Sequence, residues 1–257
     1  MPGHANAFIW YDVMTTAPEA ATSFYRDVIG WSARDSGVHG ANYTLLSFGD
    51  AMVGGLMATP PEALAMGVPP CWTGYIGVPD VDAHVRRVLA AGGAERRAAT
   101  DIPSVGRYAV VADPQGAVFI LFTPAGIPQR PNIAPGAPGH VGWHELYAVD
   151  GATAFDFYHD MFGWTKSEAI DMGPMGTYQL FAAGGEPCGG MMTRPAEAPG
   201  PCWGYYFNVA TINAAVARVH DAGGKVRHGP MQVPGGMWVA QCSDPQGAAF
   251  GMVASVA

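Results

Sequence analysis

The chain repeats itself once, and this restricts its architecture more than any other property. Trp10, Phe24, Tyr25, Asp27, Gly30 and Trp31 recur as Trp143, Phe157, Tyr158, Asp160, Gly163 and Trp164, each displaced by 133 positions. Pro70-Cys71-Trp72 recurs as Pro201-Cys202-Trp203, and Asp113-Pro114-Gln115-Gly116 as Asp244-Pro245-Gln246-Gly247, displaced by 131. A self-similar chain of 257 residues is expected to form two equivalent domains of ordinary size. Residues 124–139, with five prolines and three glycines and almost no apolar periodicity, read as an extended connection. The expected division is a first domain over 1–126, a linker over 127–139 and a second domain over 140–257.

Each copy holds a finer pattern. Phe8–Met14 reads as a strand, and Thr16-Ala17-Pro18-Glu19 has the capping-box spacing that opens a helix. Phe24, Tyr25, Val28 and Ile29 form its apolar stripe, and Gly30 ends it. Strand-like runs follow near 31–35, 43–48 and 51–57, with Gly49-Asp50 as a hairpin turn. The order then starts again: a strand over 72–78, a helix over 80–91 capped by Gly92, and strands near 95–99, 107–112 and 117–122. Asp113-Pro114-Gln115-Gly116 supplies the turn before the last of these. The chain therefore reads as an α+β protein of four βαβββ modules, two per copy.

FYRDVIGW and FYHDMFGW at the end of each copy's first helix, with DPQG before each copy's last strand, resemble the vicinal oxygen chelate superfamily of glyoxalases, bleomycin-resistance proteins and extradiol dioxygenases. The resemblance spans residues 8–124 and 141–254. It implies two glyoxalase-like domains, each a curved eight-stranded mixed sheet around a ligand cavity. Metal-using members take His or Glu from four strand positions per cavity. Those positions fall here on Trp10, Gly55, Thr73 and Ile120, and on Trp143, Gly190, Gly204 and Gly251. None is an expected ligand for a catalytic divalent cation. No cofactor is therefore expected, and a divalent metal belongs only to the enzymatic alternative below. The small replacements are expected to open room in the cavity.

With Trp10 and Trp143 facing the cavity, strand alternation turns Asp12 and Met14 inward in the first copy and Glu145 and Tyr147 in the second. Asp12 and Glu145 are then matching carboxylates on apolar walls, a setting suited to a general base. Tyr75 and Tyr206 are expected to orient a ligand oxygen or to fill the core. His144, next to Glu145, should point to the opposite face. His140 near a strand start is a candidate second ligand, while His4, His84, His159 and His220 read as solvated. Met52, Met57, Met191 and Met192 read as core or adaptable cavity lining, and Arg86-Arg87 and Arg96-Arg97 as solvated faces.

Composition narrows the function classes. Apolar residues make up 49% and charged residues 13%, as in globular proteins and not disordered ones. The net charge of -8 disfavours nucleic acid and anionic membrane as partners. No apolar run is long enough to span a bilayer, and no signal-like segment opens the chain, so a cytoplasmic monomer or homodimer is expected. The four cysteines form no CxxC pair. Two functions remain open: a metal-independent protein binding a small hydrophobic or aromatic molecule, or a glyoxalase-like lyase or isomerase, dioxygenase or hydroxylase acting on a small carbonyl or aromatic substrate. A protein that only docks partners is the third and least supported reading.

Overall fold

The computed structural model describes residues 6–38, 42–126, 133–134, 136–196 and 199–257; His4 and most of the expected linker lie outside them. In the first copy the elements are β1 (Phe8–Thr15), α1 (Pro18–Ile29), β2 (Ser32–Asp35), β3 (Tyr43–Phe48), β4 (Ala51–Ala58), α2 (Pro61–Ala65), β5 (Cys71–Gly77), α3 (Val81–Ala90), β6 (Ala94–Ile102), β7 (Gly106–Ala112) and β8 (Val118–Pro124). The second copy gives β9 (Val141–Ala148), α4 (Gly151–Phe162), β10 (Thr165–Asp171), β11 (Thr177–Ala182), β12 (Pro187–Thr193), β13 (Cys202–Asn208), α5 (Ile212–Asp221), β14 (Lys225–Gln232), β15 (Trp238–Ser243) and β16 (Ala249–Ala254). Two eight-stranded sheets result, ordered β2-β3-β4-β1-β5-β8-β7-β6 and β10-β11-β12-β9-β13-β16-β15-β14. The first and last strands of each module run parallel, as in β1 with β4 and β9 with β12, while the hairpins between are antiparallel. These are the mixed sheets of four βαβββ modules.

Local details depart from the sequence expectations. The first helix is not opened by a capping box: Ala17 is its N-cap, Pro18 fills the first turn where a missing N–H costs nothing, and the cap makes no side-chain hydrogen bond. Its end is as expected, with Gly30 in the left-handed region at φ 92° and Gly163 matching it at φ 73°. The second helix of the first copy is capped at its start by the Asp80 side chain on Ala83 N–H and ends on Ala91 rather than Gly92. The strand β6 runs longer than anticipated because register shifts let it bend without ending, and β14 has the same shifts. The single-turn α2 was not anticipated.

The described residues gather into two compact units, each combining one module from either copy: 6–9, 73–126, 144–196 and 199–203 in the first, and 10–38, 42–72, 133–134, 136–143 and 204–257 in the second. In the second unit α1 packs on α5. Phe24, Tyr25, Trp31, Trp72, Phe207 and Phe250 form its aromatic core through edge-to-face and tilted contacts. In the first unit α3 packs on α4, and Phe119, Tyr158, Phe162, Trp164, Phe181 and Trp203 play the same part. Rings in such geometry add about 0.5–1.5 kcal/mol per pair beyond their burial. Arg87, exposed as expected, donates to the Asp160 carbonyl at 2.7 Å, and Arg218 to that of Val28 at 3.0 Å. Each arginine thus satisfies a carbonyl near the C-terminus of the neighbouring helix, a group the helix itself leaves unpaired.

Candidate functional site

Strand alternation separates two faces of β1. Val13 and Thr15 are fully buried, while Trp10, Asp12 and Met14 share the other face. The register sets Asp12 opposite Gly55 and Met14 opposite Met57 on β4, and β3 sets Leu45 opposite Gly55 and Tyr43 opposite Met57. The result is a half-exposed apolar surface of Trp10, Met14, Leu45, Val53 and Met57 around one charged group. That group, Asp12, is 3% exposed. Its Oδ1 accepts from Trp10 Nε1 at 2.9 Å and from the Tyr43 hydroxyl at 2.5 Å, and Trp10 Nε1 also reaches the Tyr43 oxygen at 2.8 Å. Burial, then the Asp12 carboxylate, hold the Tyr43 phenol well above its ordinary range, so it stays protonated and donating.

The second copy builds the same face from different chemistry. Glu145 lies opposite Gly190, and Tyr147 opposite Met192, with Leu180 facing Gly190 from β11. Glu145 is 8% exposed. Its Oε2 accepts from Tyr147 at 2.5 Å and its Oε1 from Tyr178 at 3.0 Å. Tyr147 stands where the first copy has Met14, and Tyr178 where it has Tyr43.

Sequence reasoning named Asp12 and Glu145 but missed Tyr43 and Tyr178. It also read the glycines as open room, which the structure corrects. A Cβ at Gly55 would overlap the Tyr43 phenol, one at Gly190 the Tyr178 ring, and one at Gly251 the Tyr206 ring. The glycines are there so that tyrosine rings can lie flat across the strands. The clue available was a tyrosine matched between the copies, just upstream of a matched glycine pair.

The remaining candidates are dispersed. Tyr75 lies opposite Ile120 and packs edge-on to Phe122. Tyr206, buried, lies opposite Gly251 and accepts from Gln241 Nε2 at 2.7 Å. Trp143 is half-buried on β9. His144 sits in the aromatic core of its unit, stacked on Phe8 at 4.5 Å with Nδ1 2.7 Å from the Cys188 carbonyl. Burial pulls its pKa down to about 4. His159 is exposed as expected, with Nδ1 2.7 Å from the Trp164 carbonyl, whereas His84, expected to be solvated, is buried against Phe162. Met191 and Met192 are buried, but Met52 is 50% exposed.

The positions that the family resemblance assigns to metal ligands do not suit a cation. Indole, glycine and isoleucine offer no donor, and Thr73 offers only a neutral hydroxyl. Among the described residues no three or more His, Cys, Asp or Glu side chains come together in a way that could hold a metal ion. What the arrangement does offer is a buried carboxylate in each copy, Asp12 held by a phenol and an indole and Glu145 by two phenols.

Comparison with known proteins agrees with this architecture. Residues 138–252 match the family model of the glyoxalase/bleomycin resistance protein/dioxygenase superfamily, and residues 9–122 match that of a glyoxalase-like domain. "Putative glyoxylase CFP32" of Mycobacterium tuberculosis is 33% identical over 251 residues, covering 95% of this chain and 93% of that protein. "Anthracycline biosynthesis protein DauV" of a Streptomyces species is 33% identical over 260 residues, covering 95% and 91%. Among solved structures, the Mn(II)-bound glyoxalase from Novosphingobium aromaticivorans superposes with a TM-score of 0.68 at 15% identity, covering 99% of this chain and 83% of that one. With two family models covering both copies and relatives aligned along nearly its whole length, this chain belongs to the glyoxalase/bleomycin resistance protein/dioxygenase superfamily.

Proposed function

We propose that this chain binds a small hydrophobic or aromatic molecule on the carboxylate-bearing strand face of each copy, and that it does so without a catalytic metal. The observation that carries this reading is the pairing of an apolar surface with one buried, hydrogen-bonded carboxylate, at Asp12 and again at Glu145. Apolar walls with a few fixed polar groups are how proteins hold small organic ligands. Trp10 and Met14 in the first copy and Tyr147 in the second are the proposed wall residues of these faces. Relatives named for anthracycline biosynthesis and structural neighbours titled as dioxygenases of aromatic substrates favour an aromatic ligand.

Metal-free catalysis is the second reading. A carboxylate and a phenol 2.5 Å apart at Asp12 and Tyr43, or at Glu145 and Tyr147, form a pair that can take up a proton from a bound ligand, as a general base does.

Native mass spectrometry of protein purified from its own host, with metal analysis on the same sample, tests the proposal. A retained organic molecule without stoichiometric metal is the expected result. Stoichiometric manganese, iron, nickel or zinc whose removal abolishes a measured turnover overturns it.

A further inference from the structure

Proton accounting at the first copy's cluster restricts the chemistry of the ligand, given the proposed reading of that face as a ligand site. Asp12, as a carboxylate, can only accept hydrogen bonds. The Tyr43 hydroxyl has one proton, and it points to Asp12 Oδ1. The Trp10 indole has one N–H, and it lies between Asp12 Oδ1 and the Tyr43 oxygen at 2.9 and 2.8 Å. Both donors are thus turned toward the carboxylate. The phenol oxygen, lying over Gly55, has two lone pairs, of which Trp10 engages one.

From this geometry we infer that the cluster recognises a hydroxyl-bearing aromatic molecule: the ligand O–H donates to the Tyr43 oxygen, and its ring rests on Trp10, Met14 and Leu45. A ligand carbonyl or ether oxygen in the same place finds no proton to accept. The ligand hydroxyl completes a chain, O–H to Tyr43 to Asp12, in which each bond polarises the next and the charge lies at the end.

The test titrates the full chain by calorimetry with 2-naphthol, 2-methoxynaphthalene and 2-naphthaldehyde, which share a ring system and differ in the oxygen. Naphthol should bind roughly three- to tenfold tighter than the ether or the aldehyde, the worth of one hydrogen bond. In Tyr43→Phe the ring remains over Gly55, and one binding event should lose that preference while the ether binds as before. Trp10→Phe, which frees a lone pair on Tyr43, should keep the preference. Equal binding of the three compounds, a preference for the aldehyde, or an unchanged preference in Tyr43→Phe overturns the inference while leaving the binding function standing. Failure of all three to bind counts against the proposed function itself. Should Tyr43→Phe not fold, the ranking of the three compounds on the unmodified chain decides alone.

Discussion

The Tyr25 hydroxyl on α1 donates to Asp244 Oδ2 at 3.1 Å, joining the first helix of one copy to the DPQG turn of the other. Tyr158 and Asp113 repeat the bond in the opposite sense at the same distance. Each tyrosine also accepts from a tryptophan, Trp72 at 2.8 Å and Trp203 at 2.9 Å. The other oxygen of each aspartate closes its own turn: Asp113 Oδ1 takes the N–H groups of Gln115 and Ala117, and Asp244 Oδ1 those of Gln246 and Ala248. The last residue of each FYxxxxGW motif is tied as well, Trp31 Nε1 to the Gly139 carbonyl and Trp164 Nε1 to that of Asn6. In each unit, then, one copy's helix signature and the other copy's DPQG turn are the two ends of a buried hydrogen-bond network.

Tyr25→Phe should therefore be costly although it removes a single oxygen. It takes from Trp72 its acceptor and from Asp244 Oδ2 the Tyr25 donor in a buried site, at about 1–3 kcal/mol for each group stranded. Chemical denaturation should show a stability loss of roughly 2 kcal/mol or more, and Tyr158→Phe should match it. A loss below about 0.5 kcal/mol in both would show that the network is not what holds the helices to the turns.

Stability should fall as the solution is acidified from about pH 6.5 toward pH 4. Burial in the aromatic core depresses His144 to about 4, so over this window the unfolded chain takes up a proton that the folded chain refuses. His84 and His140 are shifted the same way by burial. Asp113 and Asp244 have the opposite sign: burial raises them, so their contribution is present at low pH and is lost as pH rises through the folded value. For His144 alone the loss between pH 7 and pH 5 comes to about 2 kcal/mol. His144→Phe keeps a ring against Phe8 and should flatten this slope while lowering stability at pH 7, because the Cys188 carbonyl loses its partner. An unchanged slope in the variant would assign the acid sensitivity to other groups.

Much of the fold was legible because a duplicated sequence shows its own periodicity twice. The turn glycines, the apolar helix stripes and the DPQG turns are local features, and local features survive in sequence. Asp12 and Glu145 followed from alternation along a single strand. Tyr43 and Tyr178 did not, because they reach their carboxylates from two strands away, through a register fixed by hairpin bulges that no local pattern encodes. The capping box failed for a related reason. Thr16 has the right spacing to Glu19, but Pro18 presets the first turn so that Ala17 takes the cap position.

The glycines beneath the tyrosines should tolerate no side chain. Gly190→Ala places a methyl group where the Tyr178 ring lies, and overpacking of this kind costs about 1–3 kcal/mol. Because the clash is with one side chain, Gly190→Ala combined with Tyr178→Ala should lose less stability than the sum of the two single variants. Strict additivity in that cycle would mean the methyl group meets something other than the ring.

Divalent metals should leave the protein's melting temperature unchanged. A ligand binding only the folded state stabilises it by RT ln(1 + [L]/Kd), so a cation at ten times its Kd adds about 1.4 kcal/mol, and one far below its Kd adds nothing measurable. Tight catalytic sites use three or four imidazole, carboxylate or thiolate ligands, whereas the family positions here carry Trp10, Gly55, Thr73 and Ile120, and Trp143, Gly190, Gly204 and Gly251. Melting curves with manganese, nickel, zinc or iron(II), and after chelation, should superpose on those of the untreated protein. A rise of several degrees with one of these metals, reversed by chelator, would show that ligands come from elsewhere in the chain and would restore the metalloenzyme reading. Glu145→Gln and Asp12→Asn then locate the site: a metal-dependent rise that vanishes in one of these variants places the cation on that copy's carboxylate, and one that persists in both places it away from both faces.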